Sequence, residues 1–420
     1  LRISRREFIA LTGKIALFFG LGNTFPKLAA AASGTLPIEA LRQLITADPR
    51  TSRTIMWQSK TPLDGCRLQY QAADNPPQSL PVKMESLDED QITNYYYTAY
   101  LKNLTPATTY RYRIWQGNIA AEWQEFTTAP AEITDFSALI FCDSQCGQTY
   151  AGWGQHFRTA WQRHPSAHFF AIVGDIVDNG QQEWQWQNFF AALADILPQK
   201  LFAPVMGNHE CYSLLWKFCR PRRYELSYNL PANGSQVLQN YYYSYDYGPV
   251  HFIVLNTQML ELNGIHPDLL EKQKAWLQQD VKNHPAKWRV VLMHKDVLAY
   301  DEYQEGTKTM MGISDIGYAF MPLFDELHID LVLTGHMHTY RNRGHIHHLK
   351  PADKGPVYIM SGPIGNQQYN VPADKNFDKS AIYQPTPENY LLLSANAEKL
   401  IITCYTIAGE LIETTELTHH

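Results

Sequence analysis

Between residues 36 and 129 apolar positions come in short runs separated by polar turns. Residues 53–57, 66–70, 94–100 and 122–128 are rich in β-branched and aromatic side chains and partly alternate with polar ones. Runs at this spacing predict an all-β sandwich. Ala129-Pro130 marks a linker, and from residue 133 the pattern changes. Largely apolar runs at 135–141, 168–173, 203–206, 289–293 and 331–333 read as strands buried on both faces. Between them, 150–163, 182–197 and 269–283 place apolar residues at helical spacing. Residues 241–247 and 251–256 predict a hairpin around Gly248-Pro249, and further strands are expected at 357–361, 390–395 and 400–406. The chain therefore divides into 36–129, all-β, and 133–420, α/β with mixed sheets flanked by helices.

Five of the apolar runs end in Asp, Asn or His: Asp143, Asp175, Asn208, His294, and His336 with His338 two residues on. Ligands of α/β sheets sit beyond the carboxyl ends of strands, where these side chains would meet. Gly335 is expected to let the chain turn sharply as it leaves the sheet. Carboxylate, amide and imidazole together suit manganese, iron or zinc. With Gln145 the candidates number seven, too many for one tetrahedral zinc site and suited to two ions, Asp175 serving both. Two metals roughly 3.5–4 Å apart stabilise the attacking and leaving oxygens of an in-line displacement at phosphorus.

The apolar fraction of 45% and charged fraction of 18% are those of a soluble globular protein. A net charge of -6 argues against a nucleic-acid partner. The six cysteines form no CxxC pair, which excludes a zinc ribbon, and Cys142 and Cys146 beside the first motif are expected as buried thiols. Residues 1–32 have the layout of a signal peptide: Arg5-Arg6, an apolar stretch at 15–22 and small residues at 29–32. The string Ser4-Arg5-Arg6-Glu7-Phe8 resembles the bacterial twin-arginine signal. The resemblance implies transient contact with that export machinery and a periplasmic or extracellular protein. The apolar stretch is too short to span a bilayer, so no stable membrane anchor is expected after signal removal.

The string Leu104-x-Pro106-x-Thr108-x-Tyr110-x-Tyr112 resembles fibronectin type III domains. With the strand at 53–57 and the closing Phe126-Thr-Thr-Ala-Pro130, the first segment looks like the N-terminal domain of purple acid phosphatases. The motifs at 142–145, 174–180, 207–210, 292–294 and 335–340 together resemble the calcineurin-like metallophosphoesterases. The resemblance implies a sandwich of two mixed sheets and hydrolysis of phosphate monoesters by a metal-bridging hydroxide, on a small phosphorylated substrate. It assigns Asp143, Asp175 and His338 to a first metal ion, and Asp175, Asn208, His294 and His336 to a second. His209 matches the residue that stabilises charge or protonates the leaving oxygen. A phosphodiesterase on the same site is the alternative, and an adhesion protein with a vestigial site is the third reading.

The chain departs from the family pattern in three places. Gln145 replaces a histidine, as a ligand through its amide oxygen or as a hydrogen-bond partner of metal-bound water. Asp178, expected as a turn residue before Asn179-Gly180, stands where purple acid phosphatases have a tyrosine ligand. Asp301, Glu302 and Tyr303 stand where those enzymes carry further histidines. Lys295 has two readings, a phosphate contact or a solvated lysine. His345, His347 and His348 fit an alternating edge strand, and residues 212–239 and 299–316 are expected as specificity loops. Without the tyrosine the iron-loaded protein should be colourless. Its visible spectrum tests this, since a phenolate-to-iron band would require a tyrosine ligand.

Overall fold

The computed structural model describes residues 35–420, apart from 74, 148, 305–306, 375, 381–385 and 419–420. The expected export signal lies outside the described residues, as do the side chains of 301–310 and with them those of Asp301, Glu302 and Tyr303. The apolar runs form strands as expected, and Phe169–Val173, Leu201–Val205 and Leu331–Thr334 are buried at every position. Burial on both faces explains why they show no alternation.

Asp135–Phe141, Phe169–Val173 and Leu201–Val205 lie side by side and parallel. Asn389–Asn396, Lys399–Thr406 and Leu411–Thr418 extend this sheet on one side, antiparallel. A second sheet holds Val250–Leu255, Trp288–Met293, Leu331–Thr334 and Val357–Met360 in parallel. Tyr243–Tyr247 pairs antiparallel at one edge, through the expected hairpin, and Arg341–His347 pairs with Val357–Met360. The inner faces of the two sheets meet through aromatic rings. Phe136 lies 5.0 Å from Tyr247 and Phe169 lies 5.5 Å from Phe252, centroid to centroid. Such pairs add to the area they bury. The helices Ala151–Arg163 and Leu269–Asn283 fall where helical spacing places them.

The first segment is all-β and has two layers, but it is not a free-standing sheet pair. Arg67–Ala72, Gln78–Pro81, Thr109–Gln116 and Gln124–Thr127 form one layer. Arg53–Ser59, Ile92–Leu101 and Lys83–Glu89 form the other. That second layer continues into the large sheet, because Glu39–Leu44 pairs antiparallel with Arg53–Ser59 and parallel with Leu201–Val205. Leu104 and Tyr110 are buried, and the Tyr110 hydroxyl accepts the Thr105 amide at 2.9 Å. Ala129, expected in a linker, is also buried, and its N–H donates to the Pro49 carbonyl.

The stretch expected as a loop at 299–316 is instead a hairpin, Leu298–Gln304 with Thr307–Ile313, followed by the helix Asp315–Glu326. Ser314 caps that helix by accepting the Gly317 amide at 3.0 Å. The helical pattern begins only after this cap, and the hairpin carries too few apolar residues to announce itself.

At the amino end of Val250–Leu255, away from the carboxyl ends of the strands, His251 is fully buried between two carboxylates. Nδ1 lies 2.6 Å from Asp246 and Nε2 lies 2.9 Å from Asp280. Burial opposes a charge there, but the two hydrogen-bonded aspartates outweigh it and push the pKa up to about 9. A group whose folded pKa is raised stabilises fully below its unfolded value, roughly 6.5, and loses that contribution as pH rises through the folded value. Thermal melts should therefore show stability falling between about pH 7 and 9, and His251→Asn should flatten that slope.

Candidate metal centre

The six strand-end residues converge from both sheets. The first sheet delivers Asp143, Asp175 and Asn208, and the second delivers His294, His336 and His338. Ligand atoms of Asp175, His294 and His336 all lie within 4.8 Å of one another. His294 Nε2 is 2.9 Å from Asp175 Oδ2 and 3.1 Å from Asn208 Oδ1. On the other side, His338 Nε2 is 3.6 Å from Asp143 Oδ1 and 3.1 Å from the Gln145 amide. The structure thus brings together all seven residues expected as ligands. The sheets are tied at this point by the His336 N–H, which donates to Asp143 Oδ1 and Oδ2 at 3.0 Å each.

The backbone is strained where the ligands leave the strands. Asp143, Asp175, His336 and His338 have φ of 52°, 49°, 71° and 46°, all left-handed. Each such residue costs on the order of 1–3 kcal/mol and persists only where its surroundings hold it. The sharp turn expected of Gly335 is taken by His336. Gly335 serves close approach instead, since a Cβ there would lie 2.6 Å from Asp143 Oδ2. Gly207 does the same for Asp175, whose Oδ1 would collide with a Cβ at that position.

The imidazoles are preset by backbone carbonyls. A carbonyl only accepts, so the nitrogen facing it must carry the proton. His294 Nδ1–H donates to Val173 O at 2.8 Å, His338 Nδ1–H to Gln367 O at 2.6 Å, and His209 Nδ1–H to Asp178 O at 2.6 Å. The Nε2 atoms of His294 and His338 therefore face inward, toward carboxylate and amide oxygens, and the His294 Nε2 shares a proton with Asp175 Oδ2 at 2.9 Å. Acceptors crowded into a buried site need a proton or a metal cation between them, and metal-binding histidines are held by such outer contacts. The donor set fits metal ions on this ground.

The electrostatics agree. Burial lifts the Asp143 carboxyl above its ordinary range, and the Asp175 charge adds to this against the pull of His294. Burial would raise Asp175 too, but His294 and His209 hold it low. Burial opposes charge on His294, yet Asp175 offsets it and raises the pKa. Burial and the neighbouring His294 keep His336 neutral, and burial lowers His338 to about 4.

The Gln145 amide has two ways to sit. In one, Nε2 donates to His338 Nε2 and, at 3.4 Å, to Asp175 Oδ2. Turned over, Nε2 donates to the carbonyls of Asp175 and Asp143 at 2.8 and 3.1 Å, and the amide oxygen faces His338 Nε2 at 3.1 Å. The second orientation sets two acceptors around one point and is the one a cation on His338 requires. His209 is not in this inner set. Its Nε2 lies 3.9 Å from Asp175 Oδ2, and its side chain is 22% exposed. Burial lowers its pKa, but Asp175 and Asp178 together raise it above the ordinary value.

Several roles differ from expectation or have no sequence signal. Asp178 is more than a turn residue, because its carbonyl orients His209. Lys295, expected either to contact phosphate or to be solvated, is partly buried and its Nζ pairs with Glu261 at 2.7 Å. His347 does lie in the edge strand Arg341–His347, and with His348 it also flanks Asp325. Cys142 Sγ faces the Thr334 carbonyl and Cys146 Sγ that of Thr149, so no disulfide joins them. Glu210 is a functional residue that the strand-end pattern passes over. It is buried, and its carboxylate accepts the amides of Ile176, Val177 and Gly207 at 2.8, 3.2 and 2.6 Å. It thereby locks the Asp175 loop to the Asn208 loop. Its place two residues after Asn208 is the one clue the sequence offers.

A family model described as calcineurin-like phosphoesterase matches residues 136–340, and one for the purple acid phosphatase N-terminal domain matches residues 38–128. The chain is 27% identical over 304 residues to purple acid phosphatase 21 of Arabidopsis thaliana, covering 69% of this chain and 64% of the relative. It is 26% identical over 306 residues to phosphoenolpyruvate phosphatase of Allium cepa, covering 66% of this chain and 59% of that one. The chain thus spans about three-fifths of the length of these relatives. In fold it resembles the purple acid phosphatase PPD1 of Lupinus luteus seeds, with TM-score 0.73 and 15% identity over 91% of this chain and 74% of that one. It also resembles PhoD, with TM-score 0.60 and 12% identity over 91% and 93%.

Gly335→Ala should push Asp143 out of place, since the added Cβ lies 2.6 Å from its Oδ2. Calorimetric titration of the metal-free protein with manganese or zinc should show binding weakened about 10–100-fold. Gly264→Ala, where a Cβ meets nothing within 4 Å, should bind as wild type does.

Proposed function

We propose that this chain, a calcineurin-like phosphoesterase carrying a purple acid phosphatase N-terminal domain, hydrolyses phosphate monoesters at a two-metal centre. The observation that carries the reading is the meeting of buried carboxylates from one sheet with imidazoles from the other whose Nδ1–H groups are spent on carbonyls and whose Nε2 atoms face inward. On this reading Asp143, Asp175, His338 and Gln145 hold the first ion, and Asp175, Asn208, His294 and His336 the second. Bound there, the ions supply Lewis acidity toward a phosphoryl oxygen and acidify water.

The chain's own residues do the rest. Asp175 receives the His209 N–H at 2.9 Å on Oδ1, which leaves Oδ2 for the centre. His209 Nε2 points to the same cleft while Nδ1–H is spent on Asp178, so Nε2 is the atom that holds a proton for the departing oxygen. The Asp143 and Asp175 loops are clasped by the Gln145 N–H to Asp175 O bond at 2.9 Å. Action outside a bacterial cytoplasm belongs to the same proposal and rests on residues 4–8, 15–22 and 29–32.

The test compares nitrophenyl phosphate with bis-nitrophenyl phosphate, using protein loaded in turn with manganese, iron and zinc. Turnover of the monoester is expected, abolished by Asp175→Ala and by His336→Ala. His209→Ala should lower kcat by roughly 10²–10⁴ while metal content stays unchanged. Turnover of the diester alone would make the chain a phosphodiesterase. Full metal occupancy with turnover of neither would favour a binding protein.

A further inference from the structure

A cavity of about 650 Å³ opens beside the centre, in the range that holds small organic ligands. His336 and Met337 form one end of its wall. The remaining wall comes from segments outside the ligand motifs: the short helix Met259–Leu262, the hairpin base at Leu298 and Ile313, and the helix Asp315–Glu326 with Ile316 and Ala319. The wall is largely aliphatic. Leu260, 70% exposed, stands in it as uncovered apolar surface.

The charges of this cavity are as informative as its apolar wall. Among the described residues that line it, Lys295 is the one lysine or arginine, and its ammonium is paired with Glu261. The carboxylates Asp296 and Asp315 also line it, and Asp296 is held by Arg343 at 2.8 Å. A second phosphate, or the carboxylate of a phosphorylated acid, would meet no unpaired cation among the described lining residues. It would meet acidic side chains instead.

Taking the proposed phosphatase reading as its basis, we infer that the cavity receives the alcohol part of the substrate, and that this part is apolar: an aryl or medium-chain alkyl group. The organic group of an ester bound at the centre then runs past His336 and Met337 along Leu260, Leu298 and Ile316. Transfer of apolar area from water to this wall drives selection. Sugar phosphates and nucleotides, polar or charged beyond the first phosphate, gain nothing from it.

The test is a series of straight-chain alkyl phosphates, with 1-naphthyl phosphate and phosphoserine as aromatic and polar references, on the metal-loaded enzyme. At about 0.8 kcal/mol per buried methylene, kcat/KM should rise up to about fourfold per added carbon until the cavity is filled. Leu260→Asp and Ala319→Trp should erase that slope, and Leu411→Asp, an exposed residue on another strand, should keep it. Calorimetric binding of octylphosphonate against methylphosphonate gives a second readout free of turnover. Esters hydrolysed at rates independent of chain length would overturn this inference and leave the phosphatase reading standing. No ester hydrolysed, with octylphosphonate still bound far more tightly than methylphosphonate and the gain lost in Leu260→Asp, would overturn the phosphatase reading and leave the cavity assignment standing. Equal binding of the two phosphonates would overturn the cavity assignment on its own.

Discussion

Acceptors face acceptors at the heart of this protein, and the rest of the structure is arranged around that fact. Buried carboxylates, an amide oxygen and imidazole nitrogens meet where water is largely excluded. Such a gathering is repulsive unless cations share it. The fold holds it by meeting two sheets at their carboxyl ends. The left-handed turns at Asp143, Asp175, His336 and His338 store strain that only tight surroundings can maintain. The Glu210 carboxylate, the Val173 and Gln367 carbonyls and the Cβ-free surfaces of Gly207 and Gly335 are those surroundings.

The two halves of the centre are not equivalent. On the side of His294 and His336 two imidazoles accompany the shared Asp175. On the other side His338 is the imidazole, with Gln145 close by and Asp178 too far engaged with His209 to replace a tyrosine. The Tyr369 ring stacks on His338 at 4.2 Å, a further constraint on its orientation. A primary amide donates electron density less strongly than an imidazole, so the chemistry of the two positions differs even though the geometry is paired.

The inner residues are legible because buried parallel strands appear as largely apolar runs, and the polar residues within a few positions after each run must stand at the sheet's end. Asp143, Asp175, Asn208 and the three histidines all obey that rule. The groups that hold them are not legible. Val173, Gln367 and Asp178 act through backbone carbonyls, and a carbonyl has no letter in a sequence. Gly335 is conspicuous as a turn residue but serves a close approach, and both tasks ask for glycine. The hairpin at 298–313 and the ion pair of Lys295 with Glu261 depend on packing between distant segments. The strand Glu39–Leu44 escapes pattern reading because Ala40 kinks it and Arg42 is buried within it, against any alternation.

That strand has a consequence for how the molecule came to be assembled. Glu39–Leu44 lies against Leu201–Val205, the strand that carries Asn208 to the centre. A chain lacking the first segment would leave Leu201–Val205 as a bare edge, and unprotected edges recruit other chains. The β-rich segment thus covers a margin that would otherwise be open to other chains, and the strand that carries Asn208 takes its outer partner from it.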